Sequence, residues 1–456
     1  MFLFPILYIA FFLVSLKYLA QDKVKGILLF IVFGLPIYTM ALSVSYMYGL
    51  SKLIPVLQSF KELSLLLYLG YAILNIREKI QLQWMDRIML AFFCYVFIYV
   101  LMPLGSYTFL QRLLAFKSLS FFPLIYFTGR LVDVRKIQLN EIFHYICLLT
   151  VTAAAVLLFE VITYTHIQTY SGYAPYALKY FDQETTGSYG LSWTFEIENG
   201  MKRFASIFST PLELSAATLI ATAALAALVT DHRNKMHLTR FTQLALISTL
   251  FTISFALSRA SFASYFVMIY VYAAITGHKR IIQLIHIGIL TAAAILLLVS
   301  IQSDFVDFII NTINFSNASS AGHVLEWLNG LDSMMLHPLG IGLGESGRLS
   351  AMTGYNTGGE NQFVIIGVQA GVIALGLYIA AYINSIRTAL SVIRKQTGKI
   401  RRLGIFILLI KIGLFIPLFT AEVESYIYVS YITWFLTGFL FNMVSHLPKK
   451  GLLCQP

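Results

Sequence analysis

Charge is what this sequence has least of. Only 12% of its 456 residues are charged, while 58% are hydrophobic; soluble domains carry roughly 25% charged residues. That leaves too little polar surface to cover a water-soluble globule, and a mean hydropathy of +0.77 says the same. Alternation of apolar and polar residues is also missing, which excludes a membrane barrel. Cysteine is rare: Cys94 and Cys147 lie in hydrophobic segments and Cys454 near the C-terminus. Their spacing suits neither a metal site nor a disulfide. The first segment, residues 1–20, lacks the basic start and small-residue cleavage site of a signal peptide, so a retained helix is expected. No separate basic domain stands out, which argues against nucleic acid as a partner despite a net charge of +11.

What is present is a series of apolar runs, each near the 20 or so residues needed to cross a bilayer core as a helix. The basic residues fall between them: Lys23 and Lys25; Arg77, Lys79 and Arg87; Arg130, Arg135 and Lys136; Arg233, Lys235 and Arg240; Lys279 and Arg280; Arg387 to Arg402; Lys449 and Lys450. Clusters of this kind mark cytoplasmic loops. An even number of crossings between successive clusters then predicts thirteen helices, near 1–20, 26–45, 56–76, 88–104, 115–130, 140–163, 208–230, 241–257, 262–277, 281–301, 361–386, 403–421 and 427–446. The N-terminus is expected outside and the C-terminus inside. The predicted class is an all-α polytopic membrane protein of about 12–13 transmembrane helices. Its parts are N-terminal helices at 1–163, an outer loop at 164–207, central helices at 208–301, a large outer loop with short helices at 302–360, and C-terminal helices at 361–456. Loops as long as these two are more often functional than idle.

Chemistry concentrates in and beside those loops. Arg203 and Arg259 are arginines on the outer side, against the topological trend. A guanidinium is always charged and offers a donor fork matched to phosphate oxygens, so the pair suits a diphosphate; pairing with a carboxylate or a lipid headgroup is the plainer alternative. Arg112 and Lys117, at the outer start of one helix, are secondary anion-binding candidates, with snorkelling to the headgroups as the competing explanation. The 164–207 loop ends in Glu196, Glu198, Lys202 and Arg203. In the second loop Ser316, Asn317, Ala318, Ser319 and Ser320 precede a helix-like stretch at 322–336. There His323 and Trp327 share a face, where they would meet a sugar or simply pack the helix on the membrane domain; Glu326 and Asp332 lie on the same stretch. The glycines at 340, 342, 344 and 347, followed by Arg348, are not a P-loop, because no Lys-Ser or Lys-Thr follows; a tight backbone turn is expected. Glu360 and Asn361 open the next helix. Glu360 either caps it or serves as a general base, and the arginines around it are expected to keep it ionised. Glu160, Glu213 and Lys411 sit in apolar segments, where charge marks function or a partner. No pair of broken helices, of the kind that marks many transporters, is visible.

Taken in order, these elements resemble a known superfamily. Arg203-Phe204-Ala205-Ser206 runs to Pro211 at the start of a helix, Ser258-Arg259-Ala260-Ser261 makes a turn, and Gly322-His323 with Trp327 precedes His337-Pro338-Leu339-Gly340-Ile341-Gly342-Leu343-Gly344. Glu360-Asn361-Gln362 with Gly367, Gly371 and Gly376 follows. The region 200–390 is similar to the bacterial O-antigen ligase and O-antigen/exopolysaccharide polymerase superfamily. The resemblance implies a GT-C-type glycosyltransferase in the bacterial inner membrane with its site facing the periplasm or cell exterior. It implies an undecaprenyl-diphosphate-linked glycan donor, inversion at the anomeric centre, and neither metal nor cofactor. The family's diphosphate-binding arginines would correspond to Arg203 and Arg259. Where the ligases carry His-Asn this chain has Glu360-Asn361, which favours a polymerase and makes Glu360 the first candidate base and His323 the second. Glu213, Trp327, Arg348 and Asn361 are secondary substrate-binding candidates. Donor and acceptor would both be undecaprenyl-diphosphate-linked oligosaccharides, with membrane lipid and a chain-length regulator protein as candidate partners. A ligase that passes finished glycan to lipid A-core is the alternative within the class. A lipid-linked sugar transporter or flippase is the alternative outside it, and it would place its polar residues at mid-membrane rather than in loops.

Overall fold

A computed structural model describes residues 1–76, 81–197, 200–231, 234–299, 318–351 and 357–447. Glu198, Ser316, Asn317, Arg77, Lys79, Arg233, Lys449, Lys450 and Cys454 lie outside the described residues. Among those described the fold is helical throughout, with two isolated β-bridges, Glu196 to Lys202 and Thr230 to Met236. In chain order the helices are α1 (Leu3–Ala20), α2 (Lys25–Met47), α3 (Ile54–Leu74), α4 (Trp84–Leu101), α5 (Phe109–Ser120), α6 (Phe122–Leu131) and α7 (Leu139–Thr163). Short helices α8 (Ile167–Tyr170) and α9 (Tyr173–Phe181) come next. They are followed by α10 (Pro211–Val229), α11 (Arg240–Ala256), α12 (Arg259–Thr276), α13 (Lys279–Val299) and α14 (Ala318–Leu336). The chain ends with α15 (Arg348–Ala351), α16 (Gln362–Lys395), α17 (Gly398–Phe415), α18 (Pro417–Thr420) and α19 (Ile427–Ser445).

Nine helices among the described residues are long and apolar enough to cross a membrane, the make-up of a polytopic membrane protein. Thirteen were expected, and the difference has identifiable sources. The run at 115–130 is split into α5 and α6 at Phe121–Phe122, where Pro123 stands in the first turn of α6. Proline has no N–H to continue the preceding helix. Helix α11 has 17 residues, at the lower edge of what spans a bilayer. The runs at 262–277 and 281–301 are occupied by α12 and α13, the latter leading into residues that are not described. The basic segment 387–402 is not an open loop: α16 continues to Lys395, and α17 begins at Gly398.

Packing explains the order of the bundle. Helix α10 is rich in Ala, Ser and Thr and lies at the centre, against α7, α11, α12, α17 and α19. Small side chains let helix backbones approach closely in a membrane, where no hydrophobic force drives association. Its start is set by Thr210, whose hydroxyl accepts from the Glu213 N–H at 3.2 Å, and by Pro211 in the first turn. Helices α6 and α19 meet at Gly129 and Gly438; a methyl group on either would overlap a backbone carbonyl, of Phe435 or Tyr126.

Helix α16 is broken. Gly371 has φ 78° and ψ 177°, and the glycine-rich segment after Pro338 docks into the gap. The Ile341 N–H donates to the Val368 carbonyl at 2.8 Å, the Gly342 N–H to the Gln369 carbonyl at 3.2 Å, and the Val372 N–H to the Pro338 carbonyl at 2.9 Å. Backbone groups freed by the break are thereby satisfied inside the protein, the condition for non-helical backbone at membrane depth. The turn expected at these glycines is therefore a docking segment as well.

The charges in apolar segments have structural partners. Glu160 accepts from the Ile167 N–H at 2.8 Å and from the Ser206 N–H at 2.8 Å, pinning both ends of the 164–207 segment. Lys411 lies 3.4 Å from the Trp434 ring centroid and 4.8 Å from that of Tyr382. Within the 164–207 segment Tyr173, Ala177, Leu191, Phe195 and Ala205 form a small core of their own.

Candidate functional site

Asn361 and two glycines shape the entry to α16. The Asn361 side chain caps the helix, accepting from the Phe363 N–H at 3.0 Å and the Val364 N–H at 3.2 Å. Glu360, one residue earlier, is therefore not the cap, and its carboxylate is spared that duty. Gly358 and Gly359 have φ of 93° and 64°, which side chains rarely adopt. A methyl group at Gly359 would overlap the Glu326 side chain, and one at Gly330 would come within 2.8 Å of the Gly358 Cα. These glycines let α14 cross directly over the turn, and the crossing brings His323 and Glu326 to Glu360.

Arg203 arrives from another direction. The segment holding it runs along the end of α11: the Phe204 N–H donates to the Phe255 carbonyl at 3.2 Å, and Arg203 Nε to the Ala256 carbonyl at 3.2 Å. Helix α11 ends there at Leu257, whose φ is 48°, and Arg259 is the first residue of α12. The two arginines thus stand side by side. Burial first, and then the neighbouring Arg259 charge, lower the Arg203 guanidinium to about 10, against the pull of Tyr426 and Glu360. Two like charges close together, one half-buried and one exposed, make a place for an anion.

Arg348 also acts on Glu360. Its backbone N–H donates to Glu422 Oε2 at 2.9 Å, and its guanidinium lies 4.1 Å from the Phe181 ring centroid. Its charge is felt by Glu213, Glu360, Glu422 and Tyr426. The site therefore has Glu360 within electrostatic reach of Arg203, Arg348 and His323, with Arg259 near Arg203 and Glu326 beside His323.

Electrostatics separates the roles. Glu360 borders open space but is crowded by protein, and that desolvation raises its carboxyl above the usual range; Glu326 adds to the rise, while His323, Arg348 and Arg203 oppose it. The arginines act in the expected direction, toward the ionised form, while crowding acts against them. His323 Nδ1 lies 3.7 Å from Glu326 Oε2. The Glu326 contact raises the imidazole above its ordinary value, burial opposes this, and Glu360 adds to it. His323 is thereby shifted toward the protonated form, in which it can hold negative charge. Burial likewise raises Glu422, against the Arg348 N–H and charge.

Of the residues singled out from sequence, Arg203, Arg259, His323, Glu360 and Arg348 come together, with Glu213 at the edge, where it accepts from the Ser209 N–H at 3.2 Å. Asn361 adjoins the site as the helix cap. Three others are engaged elsewhere. Arg112 donates to the Met102 carbonyl at the end of α4, Lys117 pairs with Glu62 at 2.8 Å, and Trp327 packs 6.4 Å from Phe419. Sequence reasoning missed Glu422 and Tyr426, which lie in the 421–426 connection between α18 and α19. The one signal was two acidic residues, Glu422 and Glu424, in a short link between apolar helices. Among the described residues no three His, Cys, Asp or Glu side chains gather as metal ligands. Compared with known proteins, the chain matches no family model, and no curated protein matches it either.

Proposed function

We propose that this chain is a GT-C-type polymerase that joins polyprenyl-diphosphate-linked oligosaccharide repeat units into a surface polysaccharide. In this reading the site faces the outer side of the bacterial inner membrane. The observation that carries the proposal is Glu360 within electrostatic reach of Arg203, itself near Arg259, and of Arg348, with Asn361 taking the capping role that would otherwise occupy it. An inverting transfer needs one base, a cationic seat for the departing diphosphate and alignment of the two substrates. The acceptor hydroxyl attacks the anomeric carbon from the face opposite the diphosphate. As the new glycosidic bond forms, the bond from the anomeric carbon to the diphosphate oxygen breaks. Glu360 takes the hydroxyl proton, and Arg203 and Arg259 stabilise the leaving polyprenyl diphosphate. A carboxylate with a raised pKa is the stronger base once ionised, and protonated His323 offsets its charge.

The test uses purified protein and undecaprenyl-diphosphate oligosaccharide from its own host, with products resolved on a gel. A ladder growing by whole repeat units, lost in Glu360→Gln, is the expected result. A single larger product formed only when a second acceptor is added would replace polymerase by ligase. No transfer, with lipid-linked sugar changing leaflet in proteoliposomes, would overturn the enzyme reading in favour of a flippase.

A further inference from the structure

A second cationic group lies near the site but outside it. Glu62 Oε1 on α3 is shared by two ammonium groups, Lys61 Nζ at 2.5 Å and Lys117 Nζ at 2.8 Å, while Glu62 Oε2 is buried with no hydrogen-bond partner among the described residues. Lys61 is only 11% exposed, whereas Lys117 on α5 is 49% exposed. Lys61 also donates to the Tyr38 hydroxyl at 3.3 Å and sits 4.8 Å from that ring's centroid. Two cations on one carboxylate leave an excess positive charge in a low-dielectric setting, which an incoming anion would relieve.

Position decides what that anion is. Helix α5 packs chiefly on α4 and α6, and the Lys117–Glu62 ion pair ties it across to α3. Ser118, the residue after Lys117 on α5, lines a small cavity with Ser346, Arg348, Gln362 and Glu422. Tyr38 lies in the fields of both Glu62 and Arg348, so the lysine pair and the site are neighbours. Lys117 is the exposed member of the pair, and Arg348 acts on Glu360.

We propose that Lys61 and Lys117 form a second phosphate site, which holds the diphosphate headgroup of the acceptor lipid after it enters between α3 and α5. The identification of the ligand as an acceptor rests on the polymerase reading above. Glu62 occupies the site until the diphosphate displaces it. The donor diphosphate is held at Arg203 and Arg259, and the acceptor's glycan extends from the lysines toward Glu360. A polymerase handles two diphosphate lipids at once, and two separate cationic seats keep them from exchanging places. A bilayer phospholipid carries the same phosphate chemistry, and the experiment separates the two sources.

The full-length chain is placed in phosphatidylcholine nanodiscs and titrated with undecaprenyl diphosphate that carries no glycan, and bound molecules are counted by native mass spectrometry. Two per chain are expected, falling to one in Lys61→Met/Lys117→Met and, independently, to one in Arg203→Ala/Arg259→Ala. Glu62→Gln, which keeps the shape and removes the competing charge, is expected to tighten the second binding several-fold. Lys117→Met alone, at an exposed position, is expected to weaken it about tenfold and covers the case in which the double lysine variant does not fold. Unchanged stoichiometry and affinity in the lysine variants would overturn the proposal. So would displacement of the second molecule by an equal concentration of phosphatidylglycerol, which would make the site a seat for bilayer lipid. Because the readout is binding, a chain that binds two diphosphates yet transfers no sugar would refute the polymerase reading and leave the second phosphate site standing.

Discussion

The two ends of the helix bundle use arginine in opposite ways. At the end where α4 begins, Asp86 accepts from the Tyr126 hydroxyl at 2.6 Å, the Gln83 N–H at 2.9 Å and Arg130 Nε at 3.1 Å. Arg130 also donates to Ser445 and to the Gln81 carbonyl. At the other end, where the segment after α4 meets the glycine run at Gly342, Arg203 gives its Nε to a helix-end carbonyl, and Glu360 has no ion-pair partner within 4 Å among the described residues. Charges joined directly and fully hydrogen-bonded serve to hold helices together. Glu360 and Arg203, near one another but not joined, keep their capacity for a charged ligand. Within one chain, then, the number of arginines says less about function than whether each is joined to a carboxylate.

The sharpest way to break this contrast is to neutralise Glu360. Glu360→Gln is expected to lower the transfer rate by roughly 10²–10⁴-fold while the thermal unfolding midpoint holds; an active variant would remove Glu360 from the chemistry. At the opposite end Arg130→Met is expected to do the reverse. Leaving Asp86 buried without its partner costs about 3–5 kcal/mol of stability, seen as a lower unfolding midpoint in detergent, with kcat of the surviving folded protein unchanged. A smaller stability effect is expected from Gly438→Ala, about 1–3 kcal/mol, because the added methyl forces α6 and α19 apart. The smallest effect concerns pH. Glu360 acts when ionised and its carboxyl is raised, so activity should switch on as pH rises through a midpoint above the ordinary carboxylate value. Glu326→Gln removes one of the charges that raise it and should move that acid limb downward. A limb that stays in place would mean that another group titrates.

Much of the helical architecture was legible because apolar runs are local: α7, α10 and α19 lie within a few residues of where hydropathy puts them. The candidate cluster was legible in part, since arginine, histidine and glutamate beside apolar helices are conspicuous. Features that depend on distant partners were not. Whether Glu360 or Asn361 caps α16 is decided by geometry at one turn, and either residue type can do it. That Lys117 meets Glu62 rather than the arginine cluster depends on how α5 leans on α3. The break at Gly371 was hidden among Gly367, Gly371 and Gly376, of which only the middle one has a positive φ. One broken helix is still not the inverted pair that marks many transporters.

That break also separates the site from the long remainder of its helix. Residues 368, 369 and 372 are clamped to the segment around Pro338 by backbone bonds, whereas residues 373–395 run on as the rest of α16. A bilayer thicker or thinner than the native one changes the tilt of a long helix. Glu360 stands on the other side of that clamp, so its position is set by the contacts at the turn rather than by the axis of the helix beyond it.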